Sequence, residues 1–218
     1  MSGARDPIGT IAYVEVVEID TPHGPARAHV HAAKDPRGAL VLGHGAGGGV
    51  EAPDLVAACK AALSERFTVV LVEQPYRVAG RRSPPPASHL DAAWIAIVER
   101  LRAGELGGLP LVVGGRSMGA RVACRTAEAT GAAAVLCLAF PLEPPGRAGK
   151  PPQSRQPELD AVTLPTLVVQ GESDRFGMPL PGPSREVVKV RGDHGLKADL
   201  NGVSTAVRAW LSGVVAKS

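Results

Sequence analysis

Ser117 stands in Leu111-Val112-Val113-Gly114-Gly115-Arg116-Ser117-Met118-Gly119-Ala120, an apolar run, then Gly-x-Ser-x-Gly, then an Ala-rich stretch. A serine lifted above a sheet on a sharp strand-to-helix turn needs small residues two before and two after it, where a side chain would clash. Service as a helix N-cap is the simpler role for a serine, but it leaves glycine at both Gly115 and Gly119 unexplained. Ser117 is therefore read as a nucleophile. A serine hydroxyl reacts poorly until a base takes its proton, and the base needs an acid to orient it. On such a turn the chain order is serine, acid, histidine, with the last two at strand ends. After Leu167-Val168-Val169-Gln170 comes Gly171-Glu172-Ser173-Asp174, which supplies the acid, and after Val187-Val188-Lys189-Val190 comes Arg191-Gly192-Asp193-His194-Gly195, which supplies the base. His194 is the only histidine downstream of Ser117. Asp193 is an awkward orienter for its own neighbour and Glu172 reads as solvated, so Asp174 is the acid and Glu143, after the preceding apolar run, is the reserve.

An acyl-transfer site also needs donors for the oxyanion. One is the backbone N–H after the nucleophile, at Met118, and the other comes from a Gly-rich loop after an earlier strand. Val41-Leu42-Gly43-His44-Gly45-Ala46-Gly47-Gly48-Gly49 fits, with the Ala46 N–H as the second donor. His44 precedes the nucleophile, out of order for a base, and reads as a loop-shaping residue with substrate contact as its other role. Arg116 and Arg121, beside the serine and four residues beyond it, are candidates for an anionic substrate group, and for Arg121 a structural ion pair is the equal alternative. The same loop carries Gly43-x-Gly45-x-x-Gly48, a dinucleotide-binding pattern with Glu73 ending the next strand. That oxidoreductase reading is the weaker one, because two strands precede the motif and Ser117, Asp174 and His194 are left without a role.

The elements that must position these residues are legible as apolar runs. Ile11–Ile19 and Ala26–Ala32, joined through Pro22-His23-Gly24-Pro25, predict an antiparallel hairpin. Ala39–Leu42, Thr68–Val72, Leu109–Val113, Ala133–Leu138, Leu164–Val169 and Glu186–Val190 read as strands buried on both faces. Helical patterns over Pro53–Arg66, Leu90–Leu101, Ser117–Thr130 and Ser204–Val214 separate most of them, which predicts an α/β doubly wound, mostly parallel sheet. Pro141–Pro157, with six prolines, is expected to be a loop or minimal cap, and Arg175–Ser184 lacks a helical period. With no repeats and no linker, residues 1–218 are expected to form a single domain.

Composition narrows the classes of function. The chain has 218 residues, 44 % of them hydrophobic and 21 % charged, which fits a globular domain and not a disordered one. Seven aromatic residues leave the core to Ala, Val and Leu. A net charge of +3 without a basic face is no nucleic-acid footprint. Three cysteines without metal or redox spacing, no apolar leader and no run of ~18 apolar residues predict a soluble cytoplasmic protein with no membrane partner. No cofactor and no metal is expected.

Gly115-Arg116-Ser117-Met118-Gly119-Ala120-Arg121, His44-Gly45-Ala46-Gly47-Gly48, Gln170-Gly171-Glu172-Ser173-Asp174, Gln74-Pro75-Tyr76 and Phe140-Pro141-Leu142-Glu143-Pro144-Pro145-Gly146 resemble the α/β-hydrolase superfamily. More narrowly, they are similar to the branch that includes testis-expressed protein thirty, close to the dienelactone-hydrolase-like group. The resemblance, from Gly38 to His194, implies an α/β-hydrolase fold with an N-terminal antiparallel hairpin and no lid domain. It implies the triad Ser117, Asp174 and His194 but carries no activity with it, because members of the branch share no agreed substrate. The residues themselves supply that expectation: Pro141–Pro157 is too small for a lid, which leaves an open, shallow site and predicts a serine esterase acting on small soluble esters or thioesters. Dienelactone hydrolases use a cysteine nucleophile, so Ser117 argues against their reaction. Eukaryotic relatives in that branch include subunits of chromatin complexes, which makes a non-catalytic scaffold the main alternative.

Overall fold

The computed structural model describes residues 14–143 and 153–214. Eight strands, β1 (Val14–Thr21), β2 (Gly24–His31), β3 (Gly38–Gly43), β4 (Phe67–Glu73), β5 (Leu111–Arg116), β6 (Ala134–Leu138), β7 (Thr166–Gly171) and β8 (Arg185–Val190), form one sheet in the order β1-β2-β4-β3-β5-β6-β7-β8. β1 and β2 pair antiparallel with Thr21 opposite Gly24, and β2 pairs antiparallel with β4. Every later pairing is parallel. The predicted start of the hairpin at Ile11–Tyr13 lies outside the described residues.

Except for Glu186–Val190, the apolar runs behave as strands covered on both faces should; β8 lies at the sheet edge and exposes Glu186 and Lys189. Every residue of β3, β6 and β7 is buried. Because side chains alternate along a strand, Val41, Val70, Val72 and Val113 join one core while Leu40, Leu42, Val69 and Leu71 join the other. The helices divide accordingly. α3 (Ala87–Ala103) and α4 (Met118–Thr126) cover the first core with Trp94, Ile97, Val98, Ala120 and Ala123. α1 (Pro53–Ser64) and α6 (Leu200–Val214) cover the second with Leu55, Ala58, Val203, Val207 and Leu211. A short 3₁₀ turn, Lys197–Asp199, leads into α6.

Two helices escaped the periodicity because each is a single turn opened by proline, a residue suited to the first helical positions. They are α2 (Pro75–Val78) and α5 (Gln156–Asp160). α5 overlaps the expected loop or minimal cap of Pro141–Pro157 only at its last two residues, and residues 144–152 lie outside the described residues. Arg175–Ser184 contains no helix, as its composition predicts. The predicted helix from Ser117 begins one residue later and ends at Thr126. Cys59, Cys124 and Cys137 are all buried, the last two with sulfurs 3.5 Å apart.

Candidate active site

The turn from β5 into α4 is tight enough to select its own residues. Ser117 sits at φ 53° and ψ −109°, left-handed backbone that L-residues avoid. A Cβ on Gly115 would lie 2.5 Å from the Gly43 carbonyl oxygen, and one on Gly119 would collide with the Gly43 backbone. Both glycines are thus required by the approach of β3, and the Ser117 N–H is anchored on Leu138 O at 2.9 Å.

Two loops bring the other groups to this serine. At the end of β7 a Cβ on Gly171 would collide with the Asp193 carbonyl, so the acid-bearing and histidine-bearing loops lie in contact. Glu172 N–H donates to Val190 O and Ser173 N–H to Gly192 O, both at 2.9 Å. The result is a continuous hydrogen-bonded series. Ser117 Oγ is 2.9 Å from His194 Nε2, and His194 Nδ1 is 2.8 Å from Asp174 Oδ2. A carboxylate only accepts, so the Nδ1–H donates to it, Nε2 is left as the acceptor, and the serine hydroxyl donates to that nitrogen. The Asp174 side chain is wholly buried and that of His194 is 19 % exposed. Asp174 Oδ1 accepts the Phe176 N–H at 2.9 Å, and the Phe176 ring meets the His194 ring edge-on at 4.5 Å.

The Gly-rich loop after β3 runs beside the serine. A Cβ on Gly45 would stand 3.6 Å from Ser117 Cβ. Tyr76 fastens this loop by donating its hydroxyl to Ala46 O at 2.8 Å. Burial pushes the phenol up to about 12, so it remains a donor. Met118 opens α4, and the first N–H groups of a helix have no carbonyl partner within it. Such an arrangement holds a polarised serine beside helix-terminal N–H groups, the equipment of acyl transfer.

The profile of the alpha/beta hydrolase domain matches residues 36–200. The chain belongs to the α/β hydrolase family. No curated protein sequence matches this α/β hydrolase. Its fold is similar to that of the lidless serine hydrolase XC6422 from Xanthomonas campestris, with 19 % identity, a TM-score of 0.72, and 92 % of this chain and 94 % of that one covered. Est1E from Butyrivibrio proteoclasticus aligns at 16 % identity and TM-score 0.72 over 92 % and 99 %. The esterase Pf2001 from Pyrococcus furiosus aligns at 15 % identity and 0.74 over 97 % and 94 %.

In this α/β hydrolase the structure gathers Ser117, Asp174, His194, the Ala46 loop and Met118, and it places four other candidates elsewhere. Glu143 has an exposed side chain, while the His194 ring nitrogen is held by Asp174. His44 is fully buried. Its Nδ1 is 2.8 Å from Gly45 O and its Nε2 accepts the Gln74 N–H at 3.1 Å, so both nitrogens are engaged within the loop and not with substrate. Arg121 forms a two-pronged pair with Glu158 of α5. Arg116 is held by protein groups. Its Nε lies 2.8 Å from Asp54 Oδ2, and its NH2 group donates to the carbonyl of His194 at 2.9 Å. The dinucleotide pattern also loses its helix, because α1 starts at Pro53, well after Gly48.

Two contributors went unnoticed in the sequence. Gln170 Nε2 is 2.8 Å from Asp174 Oδ2 and also reaches the carbonyls of Phe140 and Gly177, fixing the carboxylate from behind. A glutamine ending an apolar strand was the available signal, since a buried amide must find partners. Asp54, fully buried in the first turn of α1, anchors Arg116. Burial pushes its carboxyl up and the Arg116 charge opposes that shift.

Proposed function

We propose that the protein is a serine hydrolase of small soluble carboxylic esters or thioesters. The observation that carries this reading is the unbroken series Ser117–His194–Asp174 closing on a serine in left-handed backbone. Ser117 Oγ attacks the acyl carbonyl as its proton passes to His194 Nε2. Asp174 holds the ring and balances the imidazolium, and Gln170 holds Asp174. The Ala46 and Met118 N–H groups receive the developing oxyanion, each worth roughly 3–4 kcal/mol where such donors have been removed. His194 then protonates the leaving alcohol or thiol, and water deprotonated by the same nitrogen releases the acid from Ser117. Residues 139–165, between β6 and β7, carry α5 as their only helix among the described residues, which supports an open, shallow site and compact substrates.

A scaffold working through partners would present a broad apolar face. Leu180 is the one strongly exposed large hydrophobic side chain among the described residues, which favours the enzyme. Within the family, the Gly115–Arg121 and Phe140–Glu143 segments support a place near the testis-expressed protein thirty branch, and we read the chain as one domain.

The test is intact-protein mass after exposure to a small fluorophosphonate. One adduct on wild type and none on Ser117→Ala or His194→Ala is expected, with ester turnover in both variants down by roughly 10⁴-fold or more. Folded wild type that takes no adduct would overturn the reading.

A further inference from the structure

The corner between β4 and α2, Gln74-Pro75-Tyr76, grips the Gly-rich loop at two successive peptide units. Gln74 donates its backbone N–H to His44 Nε2 at 3.1 Å. That leaves the ring hydrogen on Nδ1, which donates to Gly45 O at 2.8 Å. The same carbonyl accepts the Gly48 N–H at 3.2 Å. Tyr76 takes the next carbonyl, donating its hydroxyl to Ala46 O at 2.8 Å. We propose that Tyr76 is a positioning residue for acyl transfer, setting the direction of the Ala46 N–H that receives the oxyanion. This rests on the hydrolase reading above and adds to it the means by which the second donor is aimed.

A trans peptide unit is planar, with its C=O and N–H on opposite sides, and the described residues contain no cis bond. Fastening Gly45 O to the buried His44 ring therefore turns the Ala46 N–H away from that ring. Among the described residues this N–H has no acceptor, as an oxyanion donor requires before substrate arrives. One fixed plane still leaves rotation about the Ala46 Cα. The Tyr76 bond removes it, because it holds the Ala46–Gly47 unit as His44 holds the Gly45–Ala46 unit. Packing does not do this instead: a Cβ on Gly47 would meet nothing within 4 Å.

The Tyr76 oxygen also lies 3.9 Å from Met118 Sδ. One atom thus touches both residues whose N–H groups are assigned to the oxyanion. The ring is 5 % exposed and its phenol is pushed up to about 12, so the hydroxyl donates throughout the working range of a histidine base.

Turnover of p-nitrophenyl acetate by the full chain tests this, with Tyr76→Phe keeping the buried ring and removing the hydroxyl. In this variant kcat should fall roughly tenfold to a hundredfold while KM stays within about twofold, because the lost contact acts on the transition state. The pH profile should drop without shifting along the pH axis, since His194 and Asp174 keep their partners. Phenylboronic acid, whose adduct on Ser117 places an oxygen among the same donors, should bind Tyr76→Phe more weakly by a similar factor. Ala46→Pro removes the N–H itself, and adding Tyr76→Phe to it should cost less than about twofold more, as for two residues acting through one group. An unchanged kcat in Tyr76→Phe, a loss carried by KM, or losses that multiply in the double variant would overturn the proposal. So would a Tyr76→Phe protein that no longer unfolds cooperatively, since the hydroxyl would then serve the fold. Wild type that takes no fluorophosphonate overturns the hydrolase reading and this one with it. Wild type that labels, beside a Tyr76→Phe variant of equal turnover, removes the role of Tyr76 alone.

Discussion

Ser117 holds a backbone conformation that costs a non-glycine residue roughly 1–3 kcal/mol, and Gly115 and Gly119 leave it nowhere to relax. Ser117→Gly should therefore be more stable than Ser117→Ala by about 1 kcal/mol, the reverse of the ordinary order. Urea unfolding of the two variants checks it. Arg116 offers a second test. It links a buried carboxylate to the backbone of His194, so its expected influence on the proposed reaction runs through the position of the histidine. Arg116→Met leaves Asp54 buried without its counter-charge and should cost about 3–5 kcal/mol. Asp54→Asn removes the anchor more gently, and it should slow fluorophosphonate labelling of Ser117 while the protein still unfolds cooperatively. An unchanged labelling rate in Asp54→Asn would show that the Arg116 contact does not position His194.

Among the elements, the Gly-rich loop is held by a histidine that must be neutral. His44 Nε2 accepts the Gln74 N–H, and a protonated ring cannot accept there. Burial accordingly holds its imidazole below the ordinary value of 6.5. The unfolded chain takes up this proton near 6.5 and the folded chain only at lower pH. The stability carried by the neutral ring is thus present above 6.5 and lost as pH falls through that value toward the folded one. His44→Asn keeps a donor for Gly45 O without a titrating ring, and its stability should fall less steeply than that of wild type below pH 6.5 in denaturant titrations. Legibility divides at this scale. The strands were readable because burial on both faces leaves unbroken apolar runs, and Ser117, Asp174 and His194 were readable because they terminate those runs. Residues that act from behind were not. Arg116 and Arg121 had the charge of substrate ligands, and nothing in their own neighbourhoods revealed Asp54, 62 positions away from Arg116, or Glu158 as partners. The single-turn helices α2 and α5 were too short for any periodicity to show.

For the molecule as a whole, the two cores on either side of the sheet are built from small and branched residues, with Trp94, Phe67 and Phe140 as the large inserts. Leu136 is fully buried on β6, and Leu136→Ala should lose about 2–5 kcal/mol. That corresponds to a fall in Tm of roughly 5–15 °C, readable by calorimetry. The sheet order carries a further consequence, one of time. β3 and β5 stand at the centre, but β8 is the last strand in sequence, and α6 must return from it to cover α1. Arg37, ahead of β3, donates to the carbonyl of Leu211 in α6, and Ser117 meets a histidine 77 positions on. Contacts of such long sequence separation form slowly. During synthesis Ser117, its strained turn and the Gly-rich loop emerge from the ribosome well before His194. On the proposed hydrolase reading a growing chain therefore exposes an inert serine, which gains its base only when the last strand joins the sheet.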